Sequence, residues 1–188
     1  FDAQADAAFL ARLADAAIAF TPSIAIEAPD GLALDITGCA HLFGGEPGLA
    51  TRLQALLRAH GVSLCRIAIA STPDMARALV RFGKVSPVIT RDDCDVRALP
   101  VAALECSAED TQALQRAGLK TIGAVTDRPS VLFTARFTQA FTIKLARVLG
   151  EEDRRITPLR PPAPYVVNHA CAEPVSCHDV IERIVRDL

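Results

Sequence analysis

No tryptophan occurs in the 188-residue chain, tyrosine and methionine occur once each, and aromatic residues make up only 5% of it. Hydrophobic residues nonetheless reach 51%, enough to bury a sizeable core in one large or two small domains. No apolar run is long enough to span a bilayer, and no initiator methionine or basic leader precedes Phe1. These absences predict a globular chain without membrane segment or signal peptide, and a piece of a longer polypeptide. The six cysteines, at 39, 65, 94, 106, 171 and 177, form no CxxC pair. That pattern fits reduced thiols in the cytoplasm better than a disulfide framework. A surplus of positive charge is missing too: the net charge of −2 argues against a generally basic nucleic-acid binder. The charge is unevenly spread, however. Residues 1–115 hold 9 Lys and Arg against 14 Asp and Glu, residues 116–160 hold 9 against 4, and residues 161–188 hold 2 against 4. The basic middle is either a modest electrostatic footprint for a phosphate backbone or a set of solvated helix faces.

Asp2 to Phe20 reads as an alanine-rich helix with Phe9, Leu10, Leu13, Ala17 and Phe20 near one face, stopped by Thr21-Pro22. Ile24 to Glu27 and Leu32 to Thr37 are short alternating apolar runs around Pro29-Asp30-Gly31. That is the pattern of a β-hairpin with a carboxylate at its tip. Gly38 to Gly45 reads as a loop. Its Gly44-Gly45 lacks the Lys-Ser/Thr of a P-loop and is taken as a tight turn, and His41 beside Cys39 offers two metal ligands without a third. Pro47 followed by Leu49, Leu53, Leu56 and Leu57 predicts a second helix, closed by Gly61. Leu64 to Ala70 is a strand, Thr72 caps a helix from Pro73 to Phe82, and Val85 to Thr90 is a last short strand.

After Leu99-Pro100 the texture becomes helical. Ser107 with Asp110 forms a capping box, and Leu114 and Ala117 lead to Gly118-Leu119-Lys120. Thr121 then caps a short helix through Ile122 and Val125. Helix, tight glycine turn, helix is the helix-hairpin-helix pattern, which aims free backbone N–H groups at a phosphate without reading sequence. Its DNA-binding candidates are Gly118, Lys120, Thr121 and Gly123. Arg136 to Gly150 forms a further amphipathic helix, with Phe137, Phe141, Leu145 and Val148 inward and Arg136, Lys144 and Arg147 outward. A Pro-rich linker follows at 159–164, then a strand-like stretch from Tyr165 to Ala172 and an amphipathic helix from His178 to Leu188. His169, Cys171, Cys177 and His178 match no common zinc spacing, so no metal site is assigned.

Asp30 to Gly45, DGLALDITGCAHLFGG, resembles the palm motif of the Y-family (translesion) DNA polymerases. There an Asp-Glu pair at such a hairpin leads into a Leu-Asp-Val/Ile-Thr-Gly strand. Residues 69–84, IASTPDMARALVRFGK, resemble the family's segment in which a strand runs into a helix near the incoming nucleotide and primer. Active members carry lysine at two places where this chain has Pro73 and Arg77, which makes Arg77 the nucleotide-binding candidate. Leu99 to Thr157 resembles the family's thumb, and the residues from Tyr165 resemble the start of its little finger. The resemblance implies an α+β fold. Residues 1–95 would be a partial ferredoxin-like palm, an antiparallel sheet with helices on one face, whose first strand and fingers would precede Phe1. Residues 96–158 would be a small all-helical thumb with the helix-hairpin-helix, 159–164 a linker, and 165–188 the beginning of an α+β little-finger domain.

Two-metal phosphoryl transfer needs several carboxylates converging on ions about 3.5–4 Å apart. Asp30 holds the motif's place, but its partner is Gly31, which has no side-chain oxygen. The family's remaining catalytic carboxylate lies on the strand that would precede Phe1. The resemblance is therefore closest to a branch whose members look like polymerases that have lost their active site. It implies no catalytic residue, with Asp30 and Gly31 as degenerate positions, no cofactor and no metal. It also implies an accessory factor in damage-induced mutagenic DNA repair, with a weak hold on primer-template DNA, cytoplasmic and associated with the nucleoid. Its partners would be an error-prone replicative-type polymerase, the sliding clamp and a RecA-like protein, with the clamp-binding peptide beyond Leu188. Leu104-Glu105-Cys106-Ser107 stands where active thumbs begin with Pro-Gly-Val-Gly, an added negative charge that weakens a DNA grip. Two other classes stand beside this reading: a working Mg²⁺-dependent translesion polymerase, and a helix-hairpin-helix DNA-binding scaffold with no polymerase-derived role.

Overall fold

Side-chain caps decide where four of the described helices begin. In the computed structural model, which describes residues 2–129, 139–159, 175 and 177–187, the Asp2 carboxylate accepts from the Gln4 and Ala5 amides and opens α1 (Ala3–Ala17). Thr72 opens α3 (Pro73–Phe82) by accepting from the Met75 amide. Ser107 does so for α5 (Ala108–Arg116) through Asp110, and Thr121 for α6 (Ile122–Thr126) through Ala124. α2 (Glu46–Ala59) begins differently. The loop expected at 38–45 contains a 3₁₀ turn, Ala40–Phe43, from which Gly44 and Gly45 reverse the chain at φ 82° and 89°. Only glycine takes two such left-handed steps without strain.

β1 (Ile24–Glu27) and β2 (Gly31–Leu34) form the expected antiparallel hairpin, with Glu27 opposite Gly31, but β2 stops at Leu34 rather than Thr37 because its partner strand begins at Ile24. β3 (Ala68–Ile69) and β4 (Val88–Ile89) pair in parallel, so the antiparallel expectation holds for only one of the two sheets. The cause is the connection: α3 crosses over between β3 and β4 and returns the chain to run in the same direction. β3 is also shorter than the strand expected over 64–70. Among the described residues neither β2 nor β3 pairs with a further strand, and residues 30–38 and 64–73 line a groove of about 1150 Å³. A strand without a ladder on its second edge keeps less regular backbone.

Two apolar cores organise the chain. Ala14 and Ala17 of α1, Phe20, Ile24 of β1, Leu49 and Leu53 of α2, and Ile67 make the first, and the Phe20 and Phe43 rings lie 5.0 Å apart at its edge. The second takes Met75, Ala78 and Leu79 of α3 together with residues of α4 (Cys94–Arg97), a 3₁₀ turn at Val101–Leu104, α5, α6 and α7 (Gln139–Leu149). Phe141 and Val148 of α7 are buried as expected, and Leu145 is half-buried. α8 (His178–Asp187) keeps Ile181 and Val185 exposed. Arg136 and Phe137, residues 160–164 of the expected linker, the strand-like 165–172, and the candidates His169 and Cys171 lie outside the described residues. No helix among the described residues is long and apolar enough to cross a membrane.

Candidate functional site

Asp30 sits in the loop of the β1–β2 hairpin with its side chain 70% exposed, and its Oδ1 accepts from Arg81 Nη2 at 2.6 Å. Gly31 is crowded: a Cβ there would lie 3.2 Å from the Glu27 carbonyl oxygen. A carboxylate at 31 would also stand directly across the ladder from Glu27, a like-charge pair. Glu27 itself is engaged by Arg77, which lies one turn before Arg81 on the same face of α3. The Arg77 Nε donates to Glu105 Oε2 at 2.6 Å, and the Arg81 Nε lies 3.6 Å from Glu105 Oε1. Burial alone would lower the Arg77 pKa, but the hydrogen bonds and charges of Glu105 and Glu27 outweigh it and raise the guanidinium above its ordinary value. The site is therefore an exchange of charge centred on Glu27, Asp30 and Glu105 against Arg77 and Arg81.

The network continues into the helical part. Arg154 lies 3.8 Å from Glu27 Oε1 and 3.6 Å from Asp74 Oδ2, and Lys144 Nζ donates to Asp74 Oδ1 at 3.0 Å. Asp74 is 4% exposed in the first turn of α3, where the helix dipole also favours its charge. The nearby Thr72 hydroxyl donates to the Arg147 carbonyl at 2.7 Å, a second tie between α3 and α7. Lys144 and Arg147, expected simply to face outward, are thus partnered: Arg147 pairs with Glu152 at 2.9 Å. Sequence reasoning singled out Arg77 and Asp30. It passed over Glu27, Arg81, Asp74 and Arg154 as sites, although Arg77 and Arg81 at helical spacing beside an acidic hairpin were a usable signal.

Of the DNA-binding candidates, Gly118 ends α5 at φ 80° and is exposed, as is Lys120. The Thr121 hydroxyl is spent on its cap, and Thr121 bridges Pro100 in an isolated antiparallel pair. Gly123 packs against α4, where a Cβ would lie 3.1 Å from the Arg97 carbonyl oxygen. Gly118 and Lys120 therefore present a surface turn, and Thr121 and Gly123 seat the short helix behind it. With Lys144, Arg147 and Arg154 in ion pairs, Arg116, Lys120, Arg128 and Arg155 carry none among the described residues.

Three metal-capable groups converge among the described residues only at Asp92, Asp93 and Cys94. There the Cys94 amide donates to Asp92 Oδ1 at 3.0 Å, which helps hold that carboxylate below its usual range. Asp92 in turn raises the Cys94 thiol. His41 and Cys177 are exposed, and His178 lies 3.4 Å from Glu182 on its own helix. The Cys106 thiol is pushed up by burial and, secondarily, by the charge of Asp110. Alkylation by iodoacetamide, followed by mass spectrometry, should therefore label exposed Cys177 well before the half-buried Cys106 at neutral pH, with the Cys106 rate rising as pH is raised.

Sequence comparison makes the chain a Y-family-related protein: over 153 residues, 77% of the chain and 37% of the relative, it is 29% identical to DNA polymerase IV 2 of Mesorhizobium japonicum. More particularly it is ImuB-like. Over 188 residues, 99% of the chain, it is 36% identical to Protein ImuB of Caulobacter vibrioides strain NA1000 / CB15N, and equally so to that of strain ATCC 19089 / CIP 103742 / CB 15. The chain spans 41% of the length of these ImuB relatives. No family model and no solved structure matches it.

Proposed function

We propose that the chain is part of a non-catalytic Y-family homologue, an accessory factor in damage-induced mutagenesis and translesion DNA repair. The observation that carries this reading is the fate of Asp30: its carboxylate is bound by Arg81, and the adjacent position is a glycine crowded by Glu27. A two-metal site needs carboxylates free to meet cations, and the residues present do not suit Mg²⁺. The acids nearest Asp30 in the network, Glu27 and Glu105, already face Arg77. Arg77, between two carboxylates, is likewise poorly placed to receive a nucleotide's phosphates.

In this reading the region through α3 and β4 is a palm remainder, and the groove bordered by β2 and β3 receives a further extended strand, as the ferredoxin-like arrangement requires. The helices from α5 to α7 are the thumb. Gly118 and Lys120, backed by Thr121 and Gly123, give weak, backbone-directed contact with primer-template DNA. Recruitment of an error-prone replicative-type polymerase, the sliding clamp and a RecA-like protein completes the proposed role, in the cytoplasm at the nucleoid.

The test is primer extension by the full-length protein with Mg²⁺ and all four dNTPs. No incorporation is expected, with or without Asp30→Ala; extension that Asp30→Ala abolishes would establish the active-polymerase alternative instead. On the same protein, Lys120→Glu should weaken primer-template binding alike across sequences. The slope of log K against log salt should become shallower by about 0.9 for the lost phosphate contact. An unchanged slope would remove Lys120 from the DNA surface.

A further inference from the structure

Glu105 is the non-glycine residue that the described chain holds at positive φ, with φ 48° and ψ 40°. A left-handed residue brings its Cβ against the following carbonyl, a strain that glycine escapes. The same residue, directly after the 3₁₀ turn Val101–Leu104 and two residues before the Ser107 cap of α5, sends its carboxylate to both arginines of α3. Those arginines also hold the hairpin, through Glu27 and Asp30. Side chains from three segments thus meet at one half-buried point, with Glu105 27% and Arg77 24% exposed.

We infer that Glu105 is a positioning residue that braces the start of the helical unit against the hairpin through Arg77 and Arg81, and thereby keeps both guanidiniums from gripping a polyphosphate. The bracing stands on geometry alone; the shielding of the arginines rests on the non-catalytic reading above. A strained backbone persists where surrounding contacts over-determine it, and a carboxylate shared by two arginines is such a contact. A glycine here would relax the backbone and release the brace, so strain and bracing predict opposite signs for one substitution.

The experiment uses the full-length protein with Glu105→Gln, Glu105→Gly, Arg77→Gln and the Arg77/Glu105 double variant, read by amide hydrogen exchange over the hairpin, residues 24–34. Glu105→Gln and Glu105→Gly should each speed that exchange about fivefold; Arg77→Gln, which also cuts the direct bond to Glu27, should speed it at least as much, and the double variant should fall short of the product of the two single effects, because Arg77 and Glu105 share one interaction. Slower hairpin exchange in Glu105→Gly, with Glu105→Gln unchanged, would overturn the brace and leave only strain. A second arm titrates Mg²⁺-dATP against the intact protein and against Glu27→Gln/Glu105→Gln. The intact protein should show no binding and the double variant measurable binding. Absence of binding in the variant despite accelerated exchange would overturn the shielding, whereas binding by the intact protein would sink the non-catalytic reading without touching the exchange result.

Discussion

Gly48→Ala is expected to destabilise the chain by about 3 kcal/mol, although alanine is favoured over glycine inside a helix by about 1 kcal/mol. The residue lies in the first turn of α2, where the chain has just doubled back through Gly44 and Gly45. A Cβ at 48 would fall 2.1 Å from the Phe43 carbonyl oxygen and 3.1 Å from its carbon, both backbone atoms that no rotamer change can move. Neither partner is free to retreat. Phe43 packs its ring on Phe20, and Leu49 and Ala50, next along α2, are each 2% exposed in the first core. Relief would need the 3₁₀ turn or the helix to shift against close-packed neighbours. Urea denaturation followed by far-UV circular dichroism measures the loss. Gly61→Ala is the companion variant: its Cβ would meet open space at φ 87°, so only strain of about 1 kcal/mol applies. A neutral Gly48→Ala would mean that the turn does not approach α2 as described.

Phe141→Ala is expected to cost about 3–5 kcal/mol. The ring is 2% exposed and heads the fully buried side chains of the second core, in the same cluster as Met75 and Leu79 of α3 and Val148 of its own helix. Deleting it opens a cavity at the seam between α3 and α7, and apolar neighbours drawn from two helices can collapse into that space only in part. Thermal unfolding should shift down sharply. Val185→Ala, on a residue 66% exposed in α8, should move stability by no more than about 0.5 kcal/mol. Because α3 carries Arg77 and Arg81, the same variant should also loosen the charge network between the hairpin and Glu105. Faster exchange at residues 24–34 in Phe141→Ala would register that coupling, and a two-step unfolding curve would show that the two cores separate.

Much of the backbone is legible in the sequence. The hairpin around Pro29-Asp30-Gly31, the caps at Thr72, Ser107 and Thr121, and the glycines that end α2 and α5 all lie where their local chemistry puts them. The strands at 64–70 and 85–90 were read too long, because alternation marks an apolar run but does not supply the neighbour that turns it into a ladder. Of the site, the sequence singles out Asp30 and Gly31 as the expected degenerate positions. It does not show what holds Asp30. Sequence reasoning leaves Arg81 unmarked, and Glu105 reads there only as an added negative charge, until the fold sets Arg77 and Arg81 against that one carboxylate.

Sequence by itself determined the order of elements, their caps and turns, and the kinship with Y-family proteins, because each depends on residues a few positions apart or on their order along the chain. Tertiary structure alone decided which charges meet. Arg77 finds Glu105 across 28 positions, Arg81 finds Asp30 across 51, and Lys144 finds Asp74 across 70. No periodicity spans such distances; those pairs exist because the second apolar core packs α3 against the helices that follow while the arginines on its charged face reach the hairpin.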